Sequence, residues 1–164
     1  MRFAEALSLC VNAMPEPLKS EPYKTTRRVE FRDTDAAGIV HFSVYFHYME
    51  QVEHELWRSL GLSILEHDEQ GSISWPRVAA SCDYVSAIHF EDVLDVQIRV
   101  TRLGRSSVTY EVEFTQAGRR VGTGSMTSVC CRLRGTSPIK AIPIPAAVRD
   151  KLATVLSTSE RREN

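Results

Sequence analysis

Two carboxylates, Asp33 and Asp35, stand two residues apart in the run DTDAAGIV, which spans Asp33 to Val40. The run lies between a strand-like alternating segment and a segment of helical period, so both acids fall in a strand-to-helix loop. A helix N-terminus presents unpaired N–H groups and a partial positive charge. A carboxylate beside such donors can attack an acyl carbon or deprotonate water while the donors hold the developing oxyanion. Asp-x-x-Gly also makes ordinary turns in which the acid bonds only the backbone. Two more acids, Glu50 and Glu53, share a helix flank with Phe46 and Trp57. That flank reads as partly solvated, or as carboxylates satisfied at a subunit contact. Beyond Gly104 come Arg105, Ser106 and Ser107, and Lys140 lies further on. Cations and hydroxyls in turns can meet phosphates, or be plain solvated charge.

The elements that must position these groups follow from hydrophobic period. Tyr23 to Arg32 reads as a strand, with Val29 and Phe31 alternating with polar neighbours. Tyr45, Tyr48, Met49, Val52, Leu56 and Leu60 recur at steps of three and four, one apolar helix stripe between a Ser43 cap and a Gly61 stop. After it the period becomes two. Leu94 to Val100 and Val108 to Phe114 alternate, and Arg120 to Arg134 puts Val121, Thr123, Ser125, Thr127, Val129, Cys131 and Leu133 on one face. Turn signals at Leu103-Gly104-Arg105 and Ala117-Gly118 make an antiparallel meander. Trp75 to Ile88 is a further strand candidate, and Pro145 to Leu156 a short closing helix. One long one-sided helix and several alternating strands imply an α+β fold, a curved antiparallel sheet wrapped around a central helix. Gly122 and Gly124 suit the bend.

Length and composition bound the rest. The 164 residues suit one domain, with 43% apolar and 25% charged residues as in ordinary globular chains. Lys and Arg total 20 against 21 Asp and Glu, which argues against a nucleic-acid binder with a basic face. No apolar run approaches the roughly 20 residues of a membrane helix. Residues 1–22 read as an extension and linker, 23–156 as the folded domain and 157–164 as a polar tail. Cys10, Cys82, Cys130 and Cys131 form no Cys-x-x-Cys pair, so reduced core thiols in a cytoplasmic protein are expected, and no metal site. The chain has neither a phosphate-binding Gly-x-x-x-x-Gly-Lys-Ser/Thr loop nor a Gly-x-Ser-x-Gly nucleophile elbow.

The run from Asp33 to Val40, followed by Tyr45 and Glu50, resembles the 4-hydroxybenzoyl-CoA thioesterase family of hot-dog-fold acyl-CoA thioesterases. It is similar to the branch that includes Tol–Pal-associated thioesterases, over roughly residues 23–152. The resemblance implies that Asp35 is the catalytic carboxylate, as nucleophile or general base, and that the backbone N–H of Phe42 polarises the carbonyl. It implies substrate contacts at Gly38, His41, Tyr45 and Glu50, and coenzyme A contacts at Arg105, Ser106, Ser107 and Lys140. Asp33 is expected to hold the loop. The chain departs from relatives that carry His at the position of Phe42; here His41 stands one residue earlier.

The activity so implied is hydrolysis of an acyl-CoA to coenzyme A and a carboxylic acid, with no cofactor beyond the coenzyme A of the substrate. The partner expected is a second copy, in a homodimer or homotetramer, with the Phe46–Glu50–Glu53–Trp57 stripe as candidate for the buried seam or for the pocket next to it. A hot-dog dehydratase of hydroxyacyl thioesters and a non-catalytic acyl-thioester binding module are the alternatives.

Overall fold

The alternating segments form strands because β-branched and aromatic residues at every second position cover one face of a helix. A computed structural model describes residues 21–134 and 138–157. In chain order the elements are β1 (Tyr23–Arg28), α1 (Val44–Ser59), β2 (Leu65–Asp68), β3 (Gly71–Ser74), β4 (Arg77–Tyr84), β5 (Val93–Leu103), β6 (Ser107–Gln116), β7 (Arg119–Val129), β8 (Cys131–Leu133), β9 (Lys140–Ala141) and α2 (Ala146–Ala153). A five-stranded sheet runs β1-β5-β6-β7-β4 and a four-stranded one β2-β3-β8-β9. Every ladder is antiparallel.

Helix α1 lies against one face of the larger sheet. Tyr45, Tyr48, Met49, Val52 and Leu56, the expected stripe, are buried against Leu94, Val96, Ile98, Val100, Tyr110, Val112 and Phe114. Full burial of such side chains stabilises by about 1.5–3 kcal/mol each. The helix stops where expected, with Gly61 in the left-handed region at φ 63°. The β6–β7 hairpin turns at Ala117 and Gly118, both at positive φ, the geometry that matches strand twist.

Three expectations need correction. Strand β1 ends at Arg28, and Phe31, 78% exposed, opens a single 3₁₀ turn. Val29 is buried there by backbone bonds to Asp92 and Glu91 rather than by a strand ladder. The run after Arg120 is two strands in two sheets, and between residues 122 and 128 it buries the alternate set, Gly122, Gly124, Met126 and Ser128, while Val121 and Cys131 at the ends of the named face are also buried. The helix comes so close there that a Cβ on Gly124 would lie 2.5 Å from the Met49 sulfur, so the glycines make room for α1. Strands β2, β3 and β9 were not anticipated, because Leu65–Asp68 is exposed throughout and β9 has only two residues.

The extension up to residue 20 and the tail from residue 158 lie outside the described residues. Among those described, no helix is long and apolar enough to cross a membrane.

Candidate active site

The Asp35 loop is a tight reversal closed by its own backbone. Thr34 pairs with Val40, the Asp35 N–H donates to the Ile39 carbonyl at 2.9 Å, and the Gly38 N–H donates to the Asp35 carbonyl at 2.9 Å. Gly38 sits at φ 76°, where a side chain would be strained. The Asp35 carboxylate accepts the Ala37 N–H at 2.8 Å through Oδ1 and is otherwise open to solvent. The loop is fastened to the segment after β4, since the Val40 N–H donates to the Ile88 carbonyl at 2.9 Å. Asp33 lines the same polar cleft as Asp35 but is tied down: its Oδ2 accepts the Tyr48 hydroxyl at 2.7 Å and the Glu30 N–H at 2.9 Å. It holds the loop, as expected.

At the entry to α1, Ser43 occupies the N-cap position without a side-chain cap bond. Its hydroxyl instead lies 2.8 Å from Nδ1 of His41, which also receives the Ser43 N–H at 3.4 Å. Phe42 is 60% exposed, and its backbone N–H has no acceptor among the described residues. An open N–H at a helix start, with the dipole behind it, suits a carbonyl oxygen gaining negative charge.

Asp35 stands where two cavities meet. A cavity of 360 Å³ is lined by Asp35, Phe42, Tyr45, Ile39 and Tyr84, with the chain from Val85 to Ile88 behind them. Tyr45 packs edge-on to Tyr84 at 5.0 Å and to Phe114 at 5.3 Å. Burial, the first cause, pushes its phenol up to about 12, so it is a neutral hydroxyl at the cavity wall. On the other side lies a polar cleft of 750 Å³ with Asp35, His41, Ser43, His47 and Glu50 in its lining. The structure thus gathers Asp35 with Phe42 and Tyr45, and separately Asp35 with His41 and Glu50; Gly38 shapes the turn and lines neither cavity. Tyr84 and its successors were missed. Nothing in their types signals chemistry, and only the fold brings the end of β4 to the helix entry.

The proposed seam stripe is corrected as well. Glu53 is 2% exposed, and Trp57 is buried with its indole N–H donating to the Tyr110 hydroxyl at 2.9 Å. Arg77 of β4 bonds Glu53 directly and reaches Glu50 at 3.7 Å, while the Ser128 hydroxyl donates to Glu53 at 3.1 Å. Desolvation raises the Glu53 carboxyl, and the Arg77 charge pulls it back. These two residues of the stripe thus belong to the protomer's own core, because α1 is covered from both the β4 and the β7 side.

Arg105, Ser106, Ser107 and Lys140 line neither cavity that holds Asp35. The turn at Arg105 is braced by Arg149 and by the Ile144 N–H. Lys140 borders a separate cavity of 610 Å³ with Arg132, Arg134 and Pro143. Among the described residues no group of His, Cys, Asp and Glu could hold a metal ion, and Cys82, Cys130 and Cys131 are free.

The sequence profile of the thioesterase superfamily matches residues 37–123, from the Asp35 loop through β6 into β7. The chain belongs to the thioesterase superfamily. It is a thioester hydrolase with the hot-dog fold. An Aquifex aeolicus protein named as an esterase is 35% identical over 89 residues, which cover 54% of this chain and 69% of that one. A 1,4-dihydroxy-2-naphthoyl-CoA hydrolase of Synechococcus elongatus is 25% identical over 131 residues, 79% of this chain and 94% of its own. The solved structure of a gentisyl-coenzyme A thioesterase superposes with a TM-score of 0.69 at 28% identity, covering 79% of this chain and 99% of that one.

Proposed function

We propose that this thioesterase is an acyl-CoA hydrolase of the 4-hydroxybenzoyl-CoA thioesterase type, close to the Tol–Pal-associated branch, acting in the cytoplasm. One observation carries the reading: Asp35, with a solvent-open carboxylate, and Phe42, with an unpartnered backbone N–H, line the same cavity. The thioester carbonyl oxygen takes the Phe42 N–H, with the helix dipole behind it. Asp35 either removes a proton from water, whose oxygen then attacks the carbonyl carbon, or attacks directly to give an anhydride that water opens. In both routes the C–S bond breaks, the sulfur leaves as thiolate and takes a proton, and the acid is released. The acyl group rests against Tyr45 in the apolar cavity. Its size and aromatic walls suit a ring or a short chain. The pantetheine arm crosses the polar cleft past His41 and Glu50.

Arg105, Ser106, Ser107 and Lys140 bind the nucleotide end. Since none shares a cavity with Asp35, they come from a second copy in a homodimer or homotetramer. The free edge of β4, with Val78 and Tyr84 exposed, is consistent with such pairing. The test is thiol release from a panel of aryl and aliphatic acyl-CoAs. Asp35→Asn should lower kcat by roughly 10² or more, as for a positioned acid–base group, while acyl-CoA binding survives. A variant keeping a third of wild-type turnover refutes the Asp35 assignment. A panel that releases no thiol refutes hydrolysis itself.

A further inference from the structure

We infer that Tyr48 and Asp33 are positioning residues for the reacting pair: through the Asp33 carboxylate, the helix hydroxyl sets where Asp35 and the Phe42 N–H stand relative to each other. The inference rests on the catalytic reading of Asp35 given above. Asp33 is a three-way tie. Its Oδ2 accepts the Tyr48 hydroxyl from the second turn of α1 at 2.7 Å and the Glu30 N–H from before the 3₁₀ turn at 2.9 Å. Its backbone carbonyl accepts the His41 N–H at 2.9 Å. Asp35 follows two residues after this tie, and the Phe42 N–H belongs to the residue after His41. The two reacting groups therefore leave the same fastening in opposite chain directions.

The tie is built to persist. The Asp33 side chain is 13% exposed, and its nearest cation, Arg32, is only a 3.9 Å neighbour that points largely into solvent. Tyr48 is buried, and burial first, then Asp33, raise its phenol, so it remains a donor throughout the working range. A hydrogen bond to a charged acceptor is among the stronger kind. Apart from the Ala37 N–H, Asp35 is open to solvent, so its aim is inherited from the loop base. Misplacing a reacting group by about 1 Å can cost on the order of 10² in rate.

The experiment compares Tyr48→Phe, Asp33→Asn, Asp33→Ala and Asp35→Asn by kcat and KM for an acyl-CoA that the wild type hydrolyses, per folded molecule judged by circular dichroism. Tyr48→Phe should lower kcat about tenfold and leave KM within about twofold, since Tyr48, although it lines the polar cleft, has its hydroxyl committed to Asp33. In Asp33→Asn the amide oxygen can still accept from Tyr48 and Glu30, so this variant should stay within about threefold of wild type, whereas Asp33→Ala falls with Tyr48→Phe. A merely structural tie would lower the melting temperature while leaving kcat per folded molecule unchanged. Should Tyr48→Phe fail to fold, the contrast between Asp33→Asn and Asp33→Ala decides. Turnover of Tyr48→Phe within about twofold of wild type, with Asp35→Asn inactive, overturns the tie alone. Asp33→Asn as inactive as Asp35→Asn also overturns it, assigning chemistry to Asp33 itself. An active Asp35→Asn overturns the catalytic reading and this inference with it.

Discussion

Replacing Arg77 with Met should expose how much the core depends on one guanidinium. Arg77 bonds Glu53, which is 2% exposed and has the Ser128 hydroxyl as its other donor at 3.1 Å. Arg77→Met keeps much of the side-chain bulk but leaves a buried carboxylate without its countercharge. Breaking such a pair costs about 3–5 kcal/mol. For a chain of this size, about 2–4 °C per kcal/mol translates that into a melting temperature lower by roughly 6–20 °C. The effect carries a pH signature. Burial already raises the folded Glu53 carboxyl above its ordinary 4.5, with Arg77 opposing, so removing Arg77 raises it further. A raised carboxyl gives no penalty below its unfolded value; the penalty grows as pH rises through the folded one. The gap between wild type and Arg77→Met should thus be wide at neutral pH and close toward pH 4.5, the ordinary value. Adding Glu53→Gln to Arg77→Met removes the charge and should recover most of the loss. Urea and thermal melts across pH, followed by circular dichroism, measure this. A loss below about 1 kcal/mol at neutral pH, or a gap that does not change with pH, would refute the reasoning.

Gly124→Ala places a Cβ 2.5 Å from the sulfur and 2.6 Å from the terminal methyl of fully buried Met49. Overpacking of this kind should destabilise by about 1–3 kcal/mol in a thermal melt, and no measurable loss would mean α1 is not seated on these glycines. Arg105→Ala and Lys140→Ala should each raise KM for acyl-CoA roughly tenfold with kcat nearly unchanged, the mark of uniform binding. With a phosphate-free thioester analogue the defect should vanish; an equal defect on both substrates would remove these residues from the nucleotide contacts.

Much of the site was legible because its parts are local. The Asp-x-x-Gly turn, the Gly38 reversal and the helix entry are built by neighbours in sequence, so the loop that carries Asp35 could be placed at the helix start without a structure, while the pairing of Asp35 with the Phe42 N–H came from the family resemblance. The Tyr45–Leu56 stripe and the turn at Ala117-Gly118 were legible for the same reason, since period and turn chemistry act over a few residues. The misses share the opposite cause. Phe31 continues the β1 alternation, yet β1 ends at Arg28 where its ladder to β5 stops. Glu53 looked like a solvated flank, and only Arg77 and Ser128, distant in sequence, make its burial tolerable.

The sequence by itself therefore determined one long amphipathic helix, an antiparallel meander and an acid-bearing loop at the helix start. Those depend on 3.6- and 2-residue periods and on backbone preferences of Gly and Asp. Tertiary structure decided which residues of β7 turn inward, since Gly122 and Gly124 face α1 where its approach leaves little room for side chains, with Met126 and Ser128 buried beside them. It also decided that the end of β4 walls the cavity at Asp35, and that Asp33 joins Tyr48, Glu30 and His41 in one knot. Such relations belong to pairs of residues separated along the chain, and a pattern read along one stretch of sequence does not contain them.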